Sequence, residues 1–187
     1  NEYGEKGYLE KTVSEFQKLE EFEKNDEINL WFEYELFCQV NLWFCLYLLR
    51  EKGFTNIFVV YPIFPEESEI WKGFGQHLSA NLVDCFARRV ELSESDIELG
   101  SKLWKCYKTN DLEGLRELSA VKSVSFPTLK IVCEAEIDRK TNQRVEKSIK
   151  KIIGSGAKTF ADVFTQFQQL EGVYGFGDSQ LKKIYDE

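Results

Sequence analysis

The chain has 187 residues and a mass of 21.9 kDa. That is the size of one domain, or of one with a small appendage, and long enough to fold without disulfide or metal staples. Hydrophobic residues make up 43%, aromatics 14% and charged residues 30%, which excludes a disordered, fibrous or low-complexity protein. The formal charge of −8, from 24 basic and 32 acidic side chains, argues against a nucleic-acid-coating surface and against a polybasic membrane patch.

In chain order, Tyr8 to Lys24 reads as an amphipathic helix, with Leu9, Val13, Phe16, Leu19 and Phe22 at three- and four-residue steps. Asn25-Asp26 breaks it. Ile28 to Phe32 is a short β-prone apolar run, predicted as a buried strand. Glu35 to Arg50 is a strongly apolar helix stopped by Gly53, and Asn56 to Tyr61 is a second continuous apolar run ending at Pro62. Strand, helix, strand makes a βαβ unit, with a parallel pair and a right-handed crossover.

After Pro62, Phe64 to Gly75 is predicted as a loop and His77 to Val90 as a helix. Ser93 or Ser95 caps the next helix, to about Tyr107, and Asp111 caps a short one through Leu118. Phe126 to Lys140 is helical after Pro127. The tail reads as Arg144 to Ile153, Thr159 to Leu170 and Ser179 to Tyr185, with glycines at the turns. The fold class is therefore α/β: a small Rossmann-like parallel sheet with flanking helices, followed by a helical, helix-turn-helix-like C-terminal part. The boundary falls at 120/121, between an α/β domain (1–120) and a helical subdomain (121–187).

There are five cysteines and one histidine, with no C-x-x-C pair, so a Cys/His zinc site lacks its ingredients and no metal or particular cofactor is indicated. Free thiols in apolar patterns point to a reducing cytoplasm. No stretch reaches the roughly 20 apolar residues needed to span a bilayer, so no membrane partner is expected. The chain opens at Asn1 and contains no methionine, which reads as a fragment or as a protein whose first segment is removed.

The most informative segment is the end of the first strand. Glu33 lies at its carboxyl end and Glu35 at the entry to the following helix, in the crevice where open α/β sheets bind ligands. Gln39 shares a helix face with Glu35. Asn41, about 200° round from Gln39 by the 3.6-residue period, is expected to be buried in the apolar segment and to need a partner. Two carboxylates and two amides at one junction can bind a cation, accept hydroxyl protons from a sugar or do acid–base work. A glutamate in the first turn of a helix is also stabilised by the helix dipole without any function.

The block WFEYELFCQVNLWF (31–44) is similar to the signature of an uncharacterised bacterial family, the domain of unknown function numbered eighteen thirty-five. Further blocks resemble it in the same order: WKGFG (71–75), Leu103-Trp104, Asp111-Leu112, Phe126-Pro127, Arg139 and YGFGDSQ (174–180). The resemblance spans nearly the whole chain. It implies a Rossmann-like α/β protein with a helical C-terminal part, and makes Arg139 a candidate cationic partner for the carboxylates. Members usually begin with a strand and a Gly-Asp-Ser turn that this chain lacks. Their second acidic position is commonly Asp, where this chain has Glu35, and Glu136 stands where a histidine often precedes the arginine.

These readings lead to a small polar or phosphorylated ligand at the carboxyl end of the sheet, with Glu33, Glu35, Gln39, Asn41 and Arg139 as candidate binding residues. The alternative is a regulatory or interaction protein using its helix-turn-helix-like tail on DNA. Residues 1–139 carry 16 basic and 26 acidic side chains, a net of −10, and residues 140–187 carry 8 and 6, a net of +2. Ser179 to Tyr185, with Gln180, Lys182 and Lys183, would be the recognition helix. YGFGD precedes a helix as phosphate-cradling turns do, but Asp178 as a simple N-cap explains it equally. His77 is either structural or a general base on a loop.

Overall fold

The apolar runs Ile28–Trp31 (β1) and Ile57–Val60 (β2) pair in parallel, Ile28 opposite Ile57 and Trp31 opposite Val60. They belong to a computed structural model that describes residue 7 and residues 9–76 and 79–186. A third strand, Val90–Glu91 (β3), joins β2 antiparallel, giving the order β1-β2-β3. The sheet is therefore mixed, which corrects the all-parallel expectation. The cause is local. The helix expected to reach Val90 spans Ser79–Ala87, and the chain after it turns back along the open edge of β2. The Leu92 N–H, donating to the Ile57 carbonyl at 2.9 Å, extends that pairing. Two residues are too few to leave a period-2 signal in sequence.

The N-terminal stretch is less regular than its three- and four-residue spacing suggests. It runs as a π-helical turn (Leu9–Val13), one α-helical turn (Ser14–Gln17, α1) and a 3-10 turn (Lys18–Glu21). No residue of α1 is fully buried, and only Phe16, edge-on to Phe44 at 5.4 Å, gives it a ring contact, so little packing holds a single helical period there. Tyr8 and His77 lie outside the described residues.

Leu36–Glu51 (α2) is the crossover between β1 and β2, and buries Leu42, Trp43 and Leu46 completely. Following α3 (Ser79–Ala87), Glu94–Thr109 (α4) packs against α2. It starts from a capping box in which the Ser93 hydroxyl and the Asp96 carboxylate satisfy each other's backbone N–H. At the contact, a Cβ on Gly100 would lie 2.5 Å from Leu46 Cδ1, so glycine lets the two helices approach. Asp111 caps Leu112–Ser119 (α5) as its position before the helix predicts.

Leu129–Thr141 (α6), Arg144–Gly154 (α7), Phe160–Glu171 (α8) and Asp178–Tyr185 (α9) complete the chain. A 3-10 turn, Gly172–Tyr174, and a left-handed Gly175 separate α8 from α9. Asp178 is the first residue of α9 rather than its cap, with Gly177 at the cap position. Sheet residues such as Ile57 and Val59 and tail residues such as Val163, Phe167 and Leu181 belong to one buried cluster. The whole is α/β in class and mostly helical. Among the described residues no helix is long and apolar enough to cross a membrane. All five cysteines are free.

Candidate functional site

β1 ends at Trp31, and the next four residues form a turn that delivers two carboxylates to one place. The main chain of this turn is tied down on both sides. The buried Gln39 side chain donates through Nε2 to the Glu33 carbonyl at 2.7 Å, and the Thr128 hydroxyl donates to the Tyr34 carbonyl at 2.9 Å. The Tyr34 and Tyr61 rings stack at 4.7 Å, and the Tyr61 hydroxyl donates to the Ser125 carbonyl at 2.9 Å. The strand end is thereby fixed to the segment that leads into α6.

Glu35 is the N-cap of α2, its carboxylate accepting from the Cys38 N–H at 2.9 Å. It is only 5% exposed. Burial raises its pKa, and the neighbouring Glu33 charge adds to the rise. Glu33 is half-buried, and its Oε1 accepts from the Phe74 N–H at 2.6 Å. One oxygen of each carboxylate and the Cys38 sulfur lie within 4.8 Å of one another.

Two glycines form a collar around this pair. Gly73 (φ +70°) lies against the Glu33 carboxylate, and Gly175 (φ +63°) against that of Glu35. A Cβ at either position would overlap the carboxyl group it touches. Both backbones are in the left-handed region that favours glycine. The WKGFG and YGFGD segments, a hundred residues apart, are thus the two walls of one site. Trp71 packs on Gly172, which joins the walls to each other.

The site opens into a cleft of about 690 Å³. Glu33 and Glu35 form its acidic end, while Trp71, Phe176 and the edge of buried Phe167 give it apolar faces. Ser68, Lys72, Thr165, Gln168, Gln169 and Glu171 supply the remaining polar lining. Lys72 is paired with Glu69. Glu171 accepts from Arg144 Nε at 2.9 Å and from the Ser148 hydroxyl at 2.6 Å. Neither Glu33 nor Glu35 has a cationic partner among the described residues.

Of the five residues singled out in sequence, Glu33 and Glu35 therefore share the cleft, and Gln39 lies beneath it as a brace for the Glu33 main chain. Asn41 does not join them. It is exposed rather than buried, and its Nδ2 donates to the Phe37 carbonyl one turn back at 2.8 Å. The apolar residues around it in sequence face the core, and Asn41 points away from it, so no buried partner is needed. Arg139 is held elsewhere by a bidentate pair with Glu136, at 2.7 and 2.8 Å, and Glu136 is 2% exposed. The buried Glu136 occupies its guanidinium, so Arg139 does not reach the carboxylate pair as their cationic partner. Trp71, Lys72 and Glu171 were not legible as site residues, and Gly175 was legible only as part of a glycine-rich turn, because only tertiary packing brings them to β1.

As a metal centre, Glu33, Glu35 and Cys38 form a poor donor set. Burial, with Glu35 beside it, pushes the Cys38 thiol up to about 12 in the metal-free protein, so a cation would have to displace that proton to bind the sulfur. Two carboxylates fall short of the six to eight oxygens that a hard cation such as calcium takes. The arrangement does suit an organic ligand: a polar floor, two aromatic faces and room for a molecule of moderate size. No family model, curated protein or solved structure matches the chain.

Proposed function

We propose that this chain binds a small polar ligand in the cleft at the carboxyl end of β1. One observation carries the reading: Glu33 and Glu35 lie side by side in a roomy cleft, and neither has an ion-pair partner among the described residues. A phosphorylated ligand, the other expectation from sequence, is disfavoured here. Its charge would face two carboxylates, and the glycine turn before α9 lies against Glu35 instead of presenting an empty cradle.

The β1–α2–β2 unit, with its ligand site outside the strand ends, supports a Rossmann-like reading of the fold. The same cleft supports the resemblance to the domain-of-unknown-function family, since three of its blocks supply Glu33 and Glu35, Trp71 and Lys72, and Gly175 to Gly177. The test is a Glu33→Gln plus Glu35→Gln variant compared with the parent by thermal shift against nucleotides, sugars, sugar phosphates, amines and divalent ions. At least one class stabilises the parent and not the variant. If no compound separates the two proteins, the reading fails.

A second reading, DNA binding through the helix-turn-helix-like tail, rests on α7. Lys147, Lys150 and Lys151 are exposed on it and have no ion-pair partner among the described residues. The helix first assigned to recognition, α9, supports it less. Gln180 is engaged by the Gly177 N–H, and Lys182 pairs with Asp186.

A further inference from the structure

We infer that the ligand of this cleft is an organic cation, a primary ammonium carried on an apolar body. The inference rests on the ligand-binding reading above and names its chemistry. Among the described residues three acidic side chains are buried: Glu35, Glu136 and Glu171. The fold neutralises two of them itself, Glu136 with Arg139 and Glu171 with Arg144. Glu35, its exposure lying between theirs, has no cationic partner among the described residues, and a second carboxylate lies within 4.8 Å of it. Burying a charge without a partner is strongly unfavourable, so such a group either keeps its proton or awaits a counter-charge.

The surroundings choose which counter-charge. A cleft of about 690 Å³ is far larger than a bare ion needs, and its donor set is poor for one. An ammonium presents three hydrogens, enough to bridge two carboxylates whose oxygens lie within 4.8 Å. Half-buried Trp71 and Phe176 stand on the walls of the same cleft. Aromatic faces attract a cation and cover the carbon chain behind it. A neutral polyol would satisfy the hydrogen bonds and leave the charge unbalanced. An anion would add to it.

The experiment uses the full chain and two isosteric probes, 1,4-diaminobutane and 1,4-butanediol. Inorganic phosphate and calcium chloride are run beside them at matched ionic strength, with titration calorimetry and thermal shift as readouts. The diamine binds the parent and the diol does not. Glu33→Gln and Glu35→Gln, tested singly, each weaken the diamine roughly tenfold or more, the loss of one charge-assisted hydrogen bond. Glu33 is half-exposed, so its variant remains an informative fold if the buried one does not. If the diol or phosphate binds instead and Glu33→Gln alters that binding, the ammonium assignment is overturned and the cleft reading stands. If calcium alone binds through the two glutamates, the site is a metal centre and the assignment is likewise overturned. Absence of binding by every probe overturns the assignment. The broader cleft reading then stands or falls on the wider panel described above.

Discussion

Glu35 is where several demands meet in one side chain. It caps α2, it lies under Gly175, and it shares a confined space with Glu33. Capping alone would be satisfied by an exposed carboxylate, as Asp111 does for α5. Burial is what sets Glu35 apart, and burial has a measurable consequence. A carboxyl whose folded pKa is raised keeps a proton that the unfolded chain has already released. Stability therefore falls as pH rises from the ordinary carboxylate range to the raised pKa, and is flat above it. Glu33, the Cys38 thiol, and Lys72 and Glu171 on the cleft walls are the other titratable groups around it. Glu35→Gln retains an oxygen for the Cys38 N–H and removes the titration. Denaturant unfolding at about pH 5 and about pH 8 should show a smaller loss with rising pH in the variant than in the parent. An identical slope in the two proteins would mean that Glu35 carries no raised pKa. The two glutamates were legible at this scale from their position at a strand end. The glycine collar was not, because nothing in WKGFG or YGFGD tells which carboxylate the turn will meet.

At the scale of elements, apolar periodicity and caps were strong signals wherever a helix buries a face. α2, α4, α5 and the tail helices α7 to α9 start and stop within one or two residues of their predicted bounds. The misses lie where tertiary contacts override local preference. The N-terminal stretch has helical spacing but no fully buried residue along α1, and it breaks into three helical types. β3 exists because β2 has an open edge, and two residues suffice to pair with it. Gly100 shows the same effect inside a helix. Glycine weakens an isolated helix by about 1 kcal/mol relative to alanine, so Gly100→Ala would be expected to stabilise α4 in isolation. In the fold the added methyl meets Leu46 at Cδ1 and, at 3.2 Å, at Cβ. Overpacking of this kind costs roughly 1–3 kcal/mol. Gly100→Ala should therefore destabilise the protein in urea unfolding. In a double-mutant cycle with Leu46→Ala, part of that penalty should disappear. A more stable Gly100→Ala protein would show that α2 and α4 can part without cost.

For the molecule as a whole, charge and core tell different stories about its two parts. The switch from −10 to +2 at residue 140 suggests a tail with its own task. The buried cluster joins Val163, Phe167, Tyr174 and Leu181 to the strands and to α2, and the candidate cleft takes its lining from both sides of that charge boundary. The tail is thus one wall of the site. The 187-residue chain, at −8 overall, is predicted not to retard a random DNA duplex at low salt, where phosphate contacts dominate affinity. Retardation that weakens steeply with added salt, and that is lost when Lys147, Lys150 and Lys151 are replaced by glutamine, would instead support the DNA reading. Sequence by itself determined the α/β class, the parallel β1–α2–β2 unit and the position of two glutamates at its rim, because hydrophobic period, caps and turn residues are local properties of the chain. Only the tertiary structure decided that β3 turns the sheet mixed, that Arg139 is spent on Glu136, that Asn41 faces water, and that two distant glycine turns close over Glu33 and Glu35. Those outcomes depend on which surfaces meet across the fold, and one-dimensional spacing carries no record of that.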